Sequence, residues 1–308
     1  MSVLPDDDRF AVLLADAARR DAQLGAIDWS VLPAEAERDV LDAPSGGLAR
    51  VRMGPADGPR VLLVPGATGS KEDFTLMMPA LAAAGCRVES YDLAGQYESF
   101  QAGPEHIDPE RHRYTLDLFV DDLLAVLADG PSPVHVLGYS FAGTVAVEAA
   151  VRRPELFVTL TLLSSPPLPG NSLRGFKLLG PISPFVSGRT LGGLFIWALC
   201  HNVNRAPAER AAFVAARFDL TRRSSVGDIL DLMQHTPDRT AALRATGIPL
   251  LVVAGTGDVW HTAAHRTYAA DLHARLVVLD TGHSPCETAP NQLTAAMLDL
   301  FRTRPEPA

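Results

Sequence analysis

The stretch HVLGYSFAGTVAVEAA, residues 135–150, opens as an apolar strand and closes as a helix. At the junction Ser140 has Gly138 two positions before it, Ala142 two after, and Gly143 next. Small residues at those distances suit a sharp strand-to-helix corner, where the chain approaches itself too closely for bulk. Such a corner lifts the serine hydroxyl above the sheet. It also aims the free N–H groups and positive dipole end of the following helix at the space beside it.

Outward from this corner the chain keeps a β–α rhythm. RVLLVPG (60–66), CRVESYDLAG (86–95), VHVLGYS (134–140) and FVTLTLLSS (157–165) read as buried strands. DFTLMMPALAAAG (73–85), TLDLFVDDLLAVLADG (115–130) and TVAVEAAVRRP (144–154) read as the helices between them. IPLLVVAGTGD (248–258) and ARLVVLDTGH (274–283) resume the strands, and NQLTAAMLDLFRTR (291–304) closes as a helix. Near-continuous Val/Leu strands alternating with amphipathic helices predict a doubly wound, mostly parallel α/β sheet with helices on both faces. Two earlier segments, AERDVLDAP and GLARVRMG, predict a hairpin turning at PSGG.

Three regions partition the chain. Residues 1–30 form an N-terminal helical extension, with Phe10, Leu13, Leu14 and Ala17 at helical spacing and Gly25 as a stop. Its plain role is to pack against the sheet, and a lid or dimer contact is the alternative. Residues 31–165 and 246–308 form the core. Residues 166–245 carry a helical, Leu/Phe/Ala-rich pattern without a strand, which predicts a cap over the sheet; within it Ser225 and Asp228 have the spacing of a capping box.

Composition narrows the function classes. The 308 residues are 47% hydrophobic and 20% charged, enough for a large core. With 27 basic against 36 acidic residues, a net charge of -9 and no Lys/Arg cluster, neither nucleic acid nor an anionic membrane surface is an expected partner. The opening MSVLPDDDRF is acidic where a secretory signal would be basic, and the apolar runs LGGLFIWALC and FVTLTLL are too short to span a bilayer. Cys86, Cys200 and Cys286 lack disulfide or zinc spacing. A reduced, cytoplasmic location is expected, with a homodimer left open.

The corner G138-Y-S140-F-A142-G143 resembles the G-x-S-x-G nucleophile elbow of the α/β-hydrolase family, Ala142 standing in for the second glycine. The resemblance extends over roughly residues 35–305. A serine nucleophile needs a base, and the base an orienting carboxylate, in the chain order Ser, acid, His in this family. Asp258 follows one buried strand and His283 the next, so Ser140, His283 and Asp258 are the expected catalytic triad. Asp280 is the rival acid, but it lies in the strand leading to His283. The family likeness also implies an oxyanion hole from the backbone N–H of Phe141 and of Ala67, in a PGATGSKEDF loop where Pro65 replaces the usual histidine. YDLAGQYES resembles the family's D-x-R-G-x-G-x-S turn through Asp92, Gly95 and Ser99, an architectural match.

Other patterns carry less. His261 and His265 stand at i and i+4 but lack the glutamate and third ligand of a zinc site, so no metal is expected. GATGS lacks the spacing and lysine of a phosphate loop, and no cofactor is expected. Leu191, Phe195, Trp197 and His201 either line a pocket or fill the cap core. A serine at the elbow argues against the family's epoxide hydrolases and dehalogenases, which use a carboxylate there. The expected activity is hydrolysis of a carboxylic ester, lactone or thioester of a small hydrophobic substrate through an acyl-enzyme. C–C bond hydrolysis, a cofactor-free lyase, or a slow-turnover ligand receptor are the alternatives.

Overall fold

The computed structural model describes residues 6–175, 177 and 208–302. Its eight strands are β1 (Glu37–Ala43), β2 (Gly46–Met53), β3 (Arg60–Val64), β4 (Arg87–Tyr91), β5 (Val134–Tyr139), β6 (Phe157–Leu163), β7 (Leu250–Gly255) and β8 (Arg275–Leu279). They form one sheet in the order β1-β2-β4-β3-β5-β6-β7-β8. The β1–β2 and β2–β4 pairs are antiparallel, and every pair from β4 to β8 is parallel. Order reversal around β3 makes the sheet doubly wound, as the alternation of strands and helices in the sequence predicts.

Period-two alternation along the strands feeds both faces. In β3, Leu62 and Val64 point into one apolar layer and Val61 and Leu63 into the other. The first layer takes Leu118 and Phe119 of α3 (Leu116–Ala128), Val145 of α4 (Phe141–Arg152) and Leu272 of the helix Thr262–Leu272. The second takes Met78 and Leu81 of α2 (Met78–Ala83) together with Leu293, Met297 and Leu300 of the C-terminal helix Pro290–Arg302. The leading helix α1 (Asp6–Asp21) adds Phe10 and Leu14 to this second layer. Asp21 accepts hydrogen bonds from the backbone N–H groups of Asn291 and Gln292, so α1 is anchored to the C-terminal helix as well as to the layer beneath the sheet.

Two expectations change on contact with the fold. The helix predicted over 73–85 is two pieces, a 3₁₀ turn Lys71–Phe74 and α2. Pro79 lacks an N–H and is tolerated only in a first turn, so the helix restarts just before it. The Ser225/Asp228 pair is not a capping box, because its helix, Arg223–Met233, begins two residues before Ser225. Ser225 Oγ donates instead to Ala94 O at 3.0 Å, and Asp228 accepts from Tyr114 N at 3.0 Å. His261 and His265 do not share a helix face. His261 is an exposed N-cap in extended backbone, and His265 is buried in the helix that follows.

Of the region 166–245, the described residues are 166–175, Lys177 and 208–245, the last including the helices α5 (Ala208–Asp219), α6 (Arg223–Met233) and α7 (Thr240–Ala245). Leu191, Phe195, Trp197, Cys200 and His201 lie outside the described residues. Among the described residues no helix is long and apolar enough to cross a membrane.

The hairpin turn between β1 and β2 is pinned to α3 by Asp122, which is 1% exposed. Ser45 N donates to its Oδ1 at 3.0 Å, and Ser45 Oγ lies 2.7 Å from its Oδ2. Burial outweighs the Ser45 bonds and pushes the carboxyl up from 3.8 to about 7. A raised folded-state value means that the native protein keeps a proton which the unfolded chain has already released. Stability from this group is therefore present below about pH 4 and lost as pH rises through 7. Asp122→Asn mimics the protonated form, with one acceptor for Ser45 N–H and one donor for Ser45 Oγ. Urea unfolding at several pH values should show the variant gaining on the wild type between pH 4 and 8; a constant difference would refute the assignment.

Candidate active site

Ser140 sits at φ 52°, ψ −123°, a conformation that side chains other than glycine rarely adopt. Two backbone bonds hold it there: Ser140 N–H donates to Leu163 O at 2.9 Å, and Gly143 N–H donates to Ser140 O at 2.9 Å. The corner leaves no room around it. A Cβ on Gly138 would meet Ala142 O at 2.6 Å, and one on Gly143 would meet Ser165 Oγ at 1.9 Å. Both close approaches fall on glycines, and Ala142 fits without one.

Asp258 and His283 follow the carboxyl ends of β7 and β8, in the parallel part of the sheet that also contains β5. His283 Nδ1 is 2.9 Å from Asp258 Oδ1, and His283 Nε2 is 3.2 Å from Ser140 Oγ. A neutral imidazole with its proton on Nδ1 satisfies both contacts, donating to the carboxylate and accepting from the hydroxyl. Asp258 is fully buried, whereas the His283 side chain is 27% exposed. Burial alone would raise the Asp258 pKa, but the hydrogen bond and charge of His283 hold it below the ordinary carboxylate value. Asp280, the rival acid, is exposed and accepts from Thr256 Oγ1 at 3.0 Å.

The loop after β3 closes the other side. A Cβ on Gly66 would stand 2.9 Å from Ser140 Cβ, so this loop lies directly against the elbow. Phe141 is the first residue of α4, where helix geometry gives its N–H no intrahelical acceptor. Ala67 is half-exposed between buried neighbours. Thr68 follows at φ 64°, held by Gln96 Oε1, which accepts its N–H at 2.7 Å. The first turn of α4 and the loop after β3 thus both border Ser140.

Several supports were not legible in the sequence. Tyr139, beside the serine, shares a 2.8 Å hydrogen bond with Ser284, beside the histidine, and so braces the two loops. Trp260 packs its ring 5.7 Å from that of His283, and its indole N–H donates to Ser172 O at 3.0 Å. The largest omission is an ion cluster on α5. Arg217 Nη1 donates to Ser70 Oγ at 3.0 Å and Asp73 Oδ1 at 2.7 Å, while Arg210 donates to the same Asp73 oxygen at 2.8 Å and to Glu287 at 3.0 Å. Arg210 also lies over the Trp29 ring at 4.6 Å. Ser70 and Asp73 belong to the loop after β3, and Glu287 follows the histidine loop, so α5 ties the two together. The two arginines stand two helical turns apart on one face of α5. That spacing was the available signal, but it named no partner.

Burial would raise the Asp73 pKa, and Arg217 and Arg210 overcome it to hold the group below the ordinary value. Asp73→Asn removes a buried charge from between two buried guanidinium groups, a loss of about 3–5 kcal/mol. Urea unfolding at pH 7 should show that loss, and a change within about 0.5 kcal/mol would mean the cluster is not a structural tie.

Comparison with known proteins places this geometry. A model of the alpha/beta hydrolase family matches residues 61–297. Over 268 residues the chain is 31% identical to the polyketide synthase ThaQ of Burkholderia thailandensis, covering 80% of this chain and 12% of that protein. The chain thus spans about an eighth of that relative's length. A hydrolase from Pseudomonas aeruginosa PA01 superposes with a TM-score of 0.68 at 23% identity, covering 87% of this chain and 98% of that one. A thermophilic esterase from Thermogutta terrifontis gives 0.66 at 22% identity, covering 86% and 98%. At such identities these two likenesses speak for the fold. With the family model spanning the sheet from β3 to the C-terminal helix, the chain belongs to the alpha/beta hydrolase family.

Proposed function

We propose that the protein is a serine hydrolase cleaving a carboxylic ester, lactone or thioester of a small hydrophobic substrate through an acyl-enzyme. The observation that carries this reading is the hydrogen-bonded series from Ser140 Oγ through His283 to the buried Asp258. His283 Nε2 takes the hydroxyl proton as Ser140 Oγ attacks the acyl carbon, and the carbonyl π electrons move onto oxygen. The N–H groups of Phe141 and Ala67 stabilise that oxyanion. Collapse expels the alcohol or thiol, which takes the proton from His283 and leaves an acyl-Ser140 ester. Water, deprotonated by His283 in turn, then releases the acid. Asp258 holds the imidazole in the productive tautomer throughout and stabilises its cationic form.

The serine at position 140 favours acyl chemistry over attack by an enzyme carboxylate, although this fold also carries epoxide hydrolases. Esters are preferred because they are the chemically easiest acyl compounds for a serine nucleophile to cleave. The apolar region 166–245 is read as the cap that supplies the hydrophobic wall. The whole-protein substrate and partners are part of the proposal, as is a site that needs no cofactor or metal.

A fluorophosphonate probe should label wild-type protein on Ser140, and p-nitrophenyl esters should be turned over. Ser140→Ala should lose both while keeping its melting temperature. Turnover by a folded Ser140→Ala protein would overturn the assignment, and labelling without turnover of any ester or thioester would favour a ligand receptor. For the acid, Asp258→Asn should cut kcat by a factor on the order of 10⁴ by releasing the wrong tautomer, whereas Asp280→Asn should change it little. Reversed losses in steady-state kinetics would move the acid to position 280.

A further inference from the structure

His265 has no part in the mechanism above, yet it is fully buried against the acid of the triad. Its Nε2 lies 3.6 Å from Asp258 Oδ2, the carboxylate oxygen that His283 does not use. Neither Asp258 Oδ2 nor either ring nitrogen of His265 has a hydrogen-bond partner among the described residues. A buried carboxylate oxygen with no donor is costly, and so is a buried imidazole with two idle nitrogens. At 3.6 Å the contact is longer than a hydrogen bond, but closing it requires a shift of only a few tenths of an ångström.

The surroundings favour that pairing. The Trp260 and His265 rings meet edge to face, with centroids 6.2 Å apart and planes at 89°. Ser164, strained at φ 44° and buried, lies by the same carboxylate, but its hydroxyl makes no hydrogen bond among the described residues. The ionisable groups acting on His265 are Asp258, His283 and Lys177. Burial leads these influences and lowers the imidazole pKa, which keeps His265 neutral, with one N–H and one bare nitrogen. An apolar residue would fill the same space without adding a donor beside the bare oxygen.

We propose that His265 is a positioning residue for the triad, whose neutral imidazole offers Nε2–H to Asp258 Oδ2, so that each carboxylate oxygen faces one imidazole. The inference rests on the serine-hydrolase reading. It adds that the carboxylate is held against rotation and its charge is shared, leaving Oδ1 aimed at His283.

His265→Phe keeps a ring in the space and removes both nitrogens; His265→Gln restores a donor. With p-nitrophenyl esters, His265→Phe should lower kcat about 10- to 100-fold, the scale of one hydrogen bond to a charged group. KM should move little, and the rising limb of kcat/KM should shift to higher pH. His265→Gln should recover most of both. A folded His265→Phe protein with wild-type kcat and an unmoved pH profile, changed only in melting temperature, would show a space-filling residue and end the proposal. A second readout needs neither variant nor turnover. In ¹⁵N-histidine-labelled wild-type protein, long-range ¹H–¹⁵N spectra at pH 8 should show His265 neutral with its proton on Nε2. A proton on Nδ1 alone would overturn the proposal even if Ser140 labels as expected. If Ser140 fails to label, the tautomer still decides the role of His265 independently.

Discussion

The backbone of Ser140, held at a positive φ, is the constraint on which the rest of the site depends. A residue in such a conformation costs on the order of 1–3 kcal/mol and persists only where its surroundings over-determine it. Here the surroundings are β6, which accepts the Ser140 N–H through Leu163, and Ser165, which packs on Gly143 and donates to Gly138 O at 3.2 Å. The cost is met by the sheet, since β5 and β6 are buried central strands with little freedom to relax. What the strain achieves is direction. The hydroxyl leaves the strand toward His283, and α4 starts at the very next residue.

Preorganisation is then distributed over pieces far apart in the chain. The histidine loop is braced to the elbow by Tyr139 and Ser284, and the loop after β3 is held by Gln96. The buried Arg210–Asp73–Arg217–Glu287 cluster fastens α5 across both loops. Buried ion pairs of this kind add little net stability over a well-packed apolar alternative, but breaking one partner is costly. Their effect here is therefore geometric. Helix α5 is bolted to the loops that flank Ser140, so a rearrangement of that helix would disturb the loop carrying Ala67 as well as the one carrying His283.

Much of the architecture was legible because it follows from local rules. Strand runs such as RVLLV and LLVVAG are apolar on both faces, which only a covered parallel sheet accommodates. The spacing of Gly138, Ser140 and Gly143 encodes the corner through excluded volume, and the chain order of Ser140, Asp258 and His283 at strand ends placed them at one edge. Misreadings arose where tertiary contacts outbid local ones. Ser225 and Asp228 had capping-box spacing, but their side chains were claimed by Ala94 and Tyr114, more than 100 residues away in sequence. The helix expected over 73–85 ignored Pro79, a local rule that was available.

By itself, then, the sequence determined the sheet, the elbow and the identities of the nucleophile, base and acid candidates, because each is a matter of periodicity, side-chain volume or residue type at a strand end. Only the tertiary structure decided which groups meet around them. It set Asp258 rather than Asp280 against the imidazole, joined Arg210 and Arg217 to Asp73 and Glu287, and turned His265 inward onto a carboxylate while leaving its partner in the HTAAH pattern exposed. Those pairings depend on where a side chain can escape water. Sequence spacing along one element does not determine that, because burial is conferred by the elements packed against it.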